Sequence, residues 1–554
     1  MISNNVSGST TGHLTKRKQV HHANNNNNGY MTSSPAAVLR EKALIWNVPL
    51  ESEEFAHRLN EEDSLSRFRS EFCIPKKFEL PHVDPKLVDI EDESIYLCGQ
   101  SLGLRPKQTE KYCLEVLNNW AKRGVHSHFN GALPAALCDL PAKAPMAKLV
   151  GALPGEVTIM NGLTVNLHLM LATFYRPTSR RFKIMMEGHA FSSDIYAVKS
   201  HLNFHGYSPE TSLVLIEPRE GEQTLREEDV LKLIQKEGDT TALILLPGVH
   251  YYTGQLMNIR KLTEAAHSKG IMVGLDGAHA VGNVPLYLHD WNVDFAVWCT
   301  YKYLNSGPGC LGAVFVHQRL TDGRDSDPCF PMFRGWWGNN NKTRFLMREE
   351  FDPSVGSDMF RISNPPPLLA APLMASLDIF DQTSMEEISK KQFLLTGYLE
   401  YLLKTHFGSH KPILEMNNGK NADGTPFLNI ITPSDPTQRG SQLSLVFSIP
   451  LTKVQESLQK RGIVCDVRTP NVMRVSPAPL YNSFVDVYKF VKNLKQVLDE
   501  TSKSMDPSCI LDNLATAEEA LANEYSNSND CESPVSSFTS TSDSELDSSE
   551  GVTS

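Results

Sequence analysis

The stretch IMVGLDGAHAVGNVPLYLHDWNVDFAVWCTYKYL, Ile271 to Leu304, decides the fold. It contains two short apolar runs of strand length, IMVGLD and DFAVWC, and each ends on polar residues: Asp276 after the first, Tyr301 and Lys302 after the second. In a parallel α/β sheet ligands collect beyond the carboxyl ends of the strands, so the carboxylate and the amine would face one crevice. An amine for a Schiff base and an anion that keeps a pyridine nitrogen protonated are the two groups pyridoxal phosphate requires. Taken singly, such an aspartate caps a loop and such a lysine sits in solvent. Their joint placement, with aromatic residues flanking the lysine, is what points to the cofactor.

Upstream, strand-like runs (RFKIMME, SLVLIEP, ALILLPG) alternate with helix-like ones (EEDVLKLIQKEG, NIRKLTEAAHSKG). That alternation predicts a mostly parallel sheet covered by helices. RFKIMME leads into GHAFSSD, where Phe191 could stack on a flat ring or pack in the core, and Ser192, Ser193 and Asp194 offer polar contacts. Earlier still, EVTIMNGLTVNLHLMLATFY turns at Asn161 and Gly162 and continues as a helix that begins at Leu163 and Thr164. Unpaired N–H groups there would seat a phosphate, although a threonine at such a place is also an ordinary cap.

Three short motifs pull elsewhere. Gly99, Ser101 and Gly103 satisfy the G-x-S-x-G of a hydrolase elbow, but Pro106 disfavours the helix that must follow, and Asp276 with Lys302 would be left without a role. Gly307, Gly309 and Gly312 satisfy G-x-G-x-x-G, yet they precede a strand and so predict a tight loop. His126 and His128 cannot share a helical face and no H-E-x-x-H occurs, so no metal site is expected; the pair is a solvated loop, or one member meets a ligand.

Downstream lie FRGWWGNN with Trp336, MFRISNPPP with Asn364, and then long helical runs followed by the short strands FLNIITP, SQLSLVFSI, GIVCDVR and VMRVSPAPL. Arg474, in the last of these, offers a planar fork suited to a substrate carboxylate, or else a surface ion pair. The chain therefore divides into an Asn-rich disordered tail (1–35), a helical segment that joins the small domain (36–110), a large cofactor-binding domain (111–365), a small α+β domain (366–500) and a disordered acidic, Ser-rich tail (501–554).

Bulk properties exclude several classes. The formal net charge is -11, but residues 505–554 hold 11 acidic and no basic residues, which leaves 53 of each sign in the rest. That balance is not a nucleic-acid footprint. The ten cysteines form no C-x-x-C pair, as expected of reduced thiols in a cytoplasmic protein. No apolar leader and no bilayer-length apolar run occurs, so neither secretion nor a membrane partner is expected, and the N-x-S/T matches at Asn5 and Asn341 are chance.

In order along the chain, NGLTVNLHLM, HAFSSD, LLPGVHYYTGQ, LDGAHAVGN, WCTYKYLN, RGWWG, FRISNPP and VRTPNVMRVSPAPLYNSF resemble the kynureninase family of fold-type I pyridoxal-phosphate enzymes, over roughly residues 80–500. The resemblance implies an α/β, transferase-like fold with a mostly parallel seven-stranded sheet in the large domain, a smaller α+β domain, and a homodimer. It implies Lys302 as the Schiff-base lysine, Asp276 as partner of the pyridine nitrogen with His279 near by, Phe191 as the stacking ring, and Leu163, Thr164, Ser192, Ser193, Asp194 and Tyr301 around the cofactor and its phosphate. Tyr301 would also act as acid or base. Trp336 and Asn364 would reach cofactor or substrate across a dimer interface, Arg474 would hold the amino-acid carboxylate, and His128 and Ser101 would meet the rest of the substrate.

The implied activity is hydrolytic Cβ–Cγ cleavage of L-kynurenine and its 3-hydroxy form to an anthranilate and L-alanine, in tryptophan degradation and NAD synthesis. Two positions depart from the family. Pro247 stands where vertebrate members commonly carry a serine and can donate no hydrogen bond, and Gln100 stands where asparagine is usual. Cysteine desulfurases and class V aminotransferases need the same lysine and aspartate and are separated by the Trp336 and Asn364 motifs. A non-catalytic scaffold would not be expected to keep that costly polar pair.

Overall fold

The two runs of the opening stretch form neighbouring parallel strands near the middle of a seven-stranded sheet. The computed structural model describes residues 33–322, 330–408, 428–469 and 471–504. Along the chain the strands are β1 Ile95–Tyr96, β2 Val157–Met160, β3 Lys183–Glu187, β4 Leu213–Ile216, β5 Thr241–Pro247, β6 Met272–Asp276, β7 Phe295–Cys299 and β8 Gly312–Val316. The large sheet has the order β2-β8-β7-β6-β5-β3-β4. From β4 to β7 neighbours run parallel, and β8 runs antiparallel to β7 and β2. The mostly parallel sheet of the sequence reading is therefore present.

Burial on both faces explains why these strands read as continuous apolar runs. Phe295 and Val297 point to one side of β7, Ala296 and Trp298 to the other, and all four are fully buried. Helices Leu163–Phe174 and Ser192–Phe204 cover the first side, where Leu167, Met170, Leu171, Val198 and Leu202 share a core with Phe295 and Val297. Ile259–Ser268 and Pro367–Phe380 lie on the second, with Leu262, Ala266, Leu373 and Leu377 in the core of Ala296 and Trp298. The result is three layers.

The smaller unit is an antiparallel sheet, β12-β13-β10-β9, of β9 Leu428–Ile430, β10 Leu443–Phe447, β12 Asp466–Arg468 and β13 Val472–Val475. The remaining strand, β11 Ile463–Val464, pairs with β1 and ties the N-terminal segment to this unit. Phe55 and Leu59 of Glu53–Glu61, Leu399 and Leu402 of Met385–Phe407, and Phe490 and Leu494 of Phe484–Ser504 fill its core around Leu445 and Met473.

Several boundaries differ from the sequence reading. The N-terminal segment breaks into Pro35–Trp46 and Glu53–Glu61, because Asn47 takes a left-handed conformation (φ 52°) and ends the first helix. Pro367–Phe380, assigned to the small domain by the change of pattern at residue 366, packs on Thr109–Arg123 and in the large-sheet core. Apolar helical periodicity does not say which core a helix joins. The last helix continues to Ser504, past the expected tail boundary at 501, and the first begins at Pro35, inside the expected N-terminal tail; residues 1–32 and 505–554 lie outside the described residues.

The decoy motifs resolve as loops. Gly307 and Gly309 take positive φ (92° and 64°) just before β8. After Gly103 no helix begins until Thr109, so there is no nucleophile elbow at Ser101. A Cβ at Gly103 would collide with the Lys302 carbonyl oxygen, so glycine is what lets this loop approach the lysine. No helix among the described residues is long and apolar enough to cross a membrane.

The FRISNPP segment is fastened by a buried ion pair. Arg361 Nη1 donates to Asp139 Oδ2 at 2.6 Å, with both side chains almost wholly out of solvent. Losing one partner leaves a buried charge alone. Arg361→Met is expected to lower the free energy of unfolding by about 3–5 kcal/mol in a denaturant titration, and adding Asp139→Leu to restore most of it. A double variant no more stable than the single one would contradict this.

Candidate active site

β6 ends at Asp276, and β7 runs through buried Thr300 into Tyr301 and Lys302. Parallel neighbours leave a sheet by the same edge, so all three residues arrive together. A turn after β6, closed by Ala280 N donating to Gly277 O at 2.9 Å, carries His279 over that edge. Lys302 Nζ donates to His279 Nε2 at 2.8 Å. The rings of Phe191 and Tyr301 lie 5.9 and 6.0 Å from the same nitrogen. Asp194, in the first turn of Ser192–Phe204, lies beside Asp276 and feels the charges of Asp276 and Lys302.

The helices Leu163–Phe174 and Ser192–Phe204 begin side by side: Thr164 Oγ1 and Ser193 Oγ are 2.7 Å apart. Neither has a side-chain cap, since Gly162 and Phe191 occupy the cap positions. Thr164 is therefore not an ordinary cap. Two sets of backbone N–H groups and two positive helix ends converge with no side-chain acceptor among the described residues, an arrangement that can seat an anion.

The electrostatics are lopsided. Burial, and then Asp276, push the Asp194 carboxyl well above the usual range, and burial does the same to Glu187 at the end of β3. Asp194 Oδ1 has no hydrogen-bond partner among the described residues. Crowded buried carboxylates of this kind keep a proton until a cation arrives. Burial, with Lys302 and Arg474 close by, holds His279 far below its ordinary value, so its ring is neutral and accepts from the lysine. Burial raises the Tyr301 phenol, which keeps its proton at neutral pH. Pro247 pairs with Asp276 in the sheet, so the residue that can donate nothing sits one strand from the carboxylate.

Arg474 forms a second group. Fully buried in β13, it donates from Nη1 to Tyr251 O at 2.9 Å and from Nη2 to Asp466 Oδ2 at 2.7 Å. Arg468 donates to the same oxygen at 3.2 Å. Gln100, at the departure from the family, is buried and donates to the Arg474 carbonyl at 3.4 Å. The following loop holds Ser101, and Gly103 N donates to Tyr301 O at 2.9 Å, so GQSLGL bridges the lysine and arginine groups. A cleft of about 160 Å³ opens beside them, lined by His189, His250, Tyr251, Tyr252, Arg468 and Thr469 among others. Sequence reasoning missed Asp466, Arg468, His250 and the two tyrosines. The available signal was the alternation Asp466, Arg468 in CDVRT, which puts two opposite charges on one strand face.

His128 and Trp336 are not brought to this group. Trp336 Nε1 donates to Arg344 O at 3.0 Å, its ring meets Phe345, and Phe345 meets Phe129 beside His128. No hydrogen bond or ring contact among the described residues links this exposed aromatic surface to Lys302 or Arg474. Asn364 Oδ1 is buried without a partner among the described residues. At the opposite sheet edge Glu156, His289 and His317 place ligand atoms within 4.8 Å of one another. The two imidazoles stack at 17°, however, with ring centroids 4.9 Å apart. His289 Nδ1 and Gln318 N instead donate to the same Glu156 oxygen, each at 2.8 Å.

Comparison with known proteins agrees with this geometry. Residues 141–408 match the family described as aminotransferase class-V, and residues 413–494 match the kynureninase C-terminal domain. The apo cysteine desulfurase from Thermococcus onnurineus NA1 shares the fold with a TM-score of 0.58 at 17% identity, covering 76% of this chain and 98% of that one. The cysteine desulfurase CsdA from Escherichia coli does so with 0.58 at 16%, covering 79% and 99%. At such identities only the fold is shared. Sequence relatives are far nearer: the kynureninase of Mus musculus is 48% identical over 470 residues, 85% of this chain and 98% of that protein. Those of Nematostella vectensis (47%, covering 84% and 98%) and Homo sapiens (49%, covering 81% and 93%) match similarly. With identity this high across almost the whole of each relative, the chain belongs to the kynureninase family.

Proposed function

We propose that this chain hydrolyses L-kynurenine between Cβ and Cγ, releasing L-alanine and anthranilate, with pyridoxal 5′-phosphate seated at the carboxyl edge of the large sheet. The observation that carries this function is the convergence of Lys302, the Asp276–Asp194 carboxylates and two uncapped helix N-termini on one place. The 3-hydroxy substrate, and a place in tryptophan degradation towards NAD, belong to the same proposal.

The residues present fit the cofactor. A surplus of buried carboxylate suits a protonated ring nitrogen, which Asp276 would hold with Asp194 behind it. The free N–H groups at Leu163, Thr164, Ser192 and Ser193 suit a phosphate, and Phe191, nearly half exposed, offers an open aromatic face beside the amine. Pro247 leaves the cofactor one donor fewer than a serine would.

When bound, the cofactor supplies an electron sink for a carbanion at Cα. Lys302 anchors it and takes the Cα proton, and neutral His279 orients the amine by accepting one of its hydrogens. Arg474 binds the α-carboxylate of the amino acid. Tyr301 retains its phenolic proton beside Lys302 and is the acid that protonates the carbon released when water has added to the γ-carbonyl. Ser101 contacts the aromatic end of the substrate, and His128, which lies with Trp336 on a surface away from Lys302 of its own chain, would reach that end only from a partner protomer. We infer a homodimer in which Trp336 and Asn364 of one protomer complete the site of the other, supported by the exposed aromatic surface around Trp336. A cytoplasmic location is in keeping with seven described cysteines that are all free thiols.

Lys302→Ala is expected to abolish anthranilate formation, followed by its fluorescence, and to leave no cofactor fixed to protein after borohydride reduction. Persistence of either signal would refute the assignment. A second expectation concerns the protein stripped of cofactor. The folded pKa of Asp194 lies above its unfolded value, so its contribution to stability is present in acid and lost as pH rises towards the folded value. Asp194→Asn should therefore raise the melting temperature of the stripped protein at neutral pH, by about 1–2 °C per ~1 kcal/mol gained, and bind the cofactor more weakly. The gain should vanish below about pH 4; an unchanged melting temperature at neutral pH would contradict the shared-proton arrangement.

A further inference from the structure

The arginine group contains more than a carboxylate fork needs. Arg474 and Arg468 donate to one and the same oxygen, Asp466 Oδ2, at 2.7 and 3.2 Å. Asp466 and Arg474 face each other across the β12–β13 pair, and both side chains are at least nine-tenths buried. Asp466 Oδ1, Arg474 Nε and Arg468 Nε have no partner among the described residues. Two guanidinium groups against one carboxylate leave a single positive charge in excess, the complement of one substrate carboxylate. Tyr251 O takes a further Arg474 hydrogen, so that guanidinium is tied at both terminal nitrogens before any substrate arrives.

We propose that Asp466 is the positioning residue of the substrate-carboxylate subsite: it braces Arg474 in the orientation that meets the substrate, with Arg468 holding Asp466 from the cleft side. The proposal rests on the kynurenine-cleaving function above and on Arg474 as carboxylate binder. A long, flexible side chain buried without such a brace would have to be ordered by the substrate itself, at the expense of affinity. Removing the brace therefore weakens binding and leaves the chemical step alone.

The test is a double-mutant cycle on the cofactor-loaded enzyme. Arg474→Ala should raise KM about ten- to a hundredfold, the loss of one charge-assisted contact. Asp466→Ala should raise KM by a similar factor with kcat within about twofold, and Asp466→Ala with Arg474→Ala should be no worse than Arg474→Ala alone. Asp466→Asn, which keeps the shape and removes the charge, should lie between, and it is the variant to use should Asp466→Ala fail to fold. Calorimetric binding of a kynurenine analogue lacking the α-amino group should weaken in step with KM. An unchanged or lowered KM for both Asp466 variants, or additive effects in the cycle, would overturn the bracing role while leaving Arg474 in place. An unchanged KM for Arg474→Ala would instead overturn the assignment of the subsite itself.

Discussion

A buried carboxylate, Asp194, crowded by the half-buried Asp276 sets the character of this molecule. Asp276 and Asp194 meet at the carboxyl edge of the sheet, with Glu187 also buried near by and Lys302 as the close cation. In a dry environment such a group is unfavourable unless it holds a proton or faces a cation. The rest of the fold can be understood as what keeps it in place: β6 and β3 end there, the turn after β6 delivers His279, and a glycine lets the 99–104 loop reach the lysine carbonyl. A pyridine ring that arrives needing a proton on its nitrogen relieves the conflict. On the proposed function, stability lost by the empty protein would become affinity for the cofactor.

The same economy of charge recurs at the arginine group. Arg474 and Arg468 share one carboxylate oxygen, and the excess of one positive charge matches an amino-acid substrate. Between the two groups run Gln100 and Gly103, which touch the Arg474 and Tyr301 carbonyls. The geometry explains why residues distant in sequence belong to one chemical unit: the large sheet supplies the lysine end, and the smaller sheet supplies the arginine end. Relative motion of the two sheets would alter the distance between Lys302 and Arg474.

Much of the lysine end was legible in the residues, for a physical reason. Strands buried on both faces must be apolar, so the first polar residues after IMVGLD and FAVWC mark the sheet edge where ligands bind, and Asp276 and Lys302 stand out. The helix start at Leu163 was likewise visible, but its residues alone favoured an ordinary threonine cap, and only the structure puts Gly162 in the cap position. The arginine end was less legible. Asp466 and Arg468 meet Arg474 only through the pairing of β12 with β13, and Tyr251 contributes a backbone carbonyl, which no residue type announces. Pro367–Phe380 carries a helical apolar pattern that suits either core, so its place in the large one depends on packing against Thr109–Arg123. Trp336 was singled out by its motif alone, and one chain leaves it on an exposed surface away from Lys302.

The most direct measurement is the protonation state of the bound cofactor's ring nitrogen, observed by nuclear magnetic resonance with that nitrogen isotopically labelled. With Asp276 and Asp194 facing it, the nitrogen should be protonated at neutral pH and stay so well into the alkaline range, and Asp276→Asn should abolish this. An unprotonated nitrogen in the unaltered protein at neutral pH would contradict the central role of the carboxylate pair.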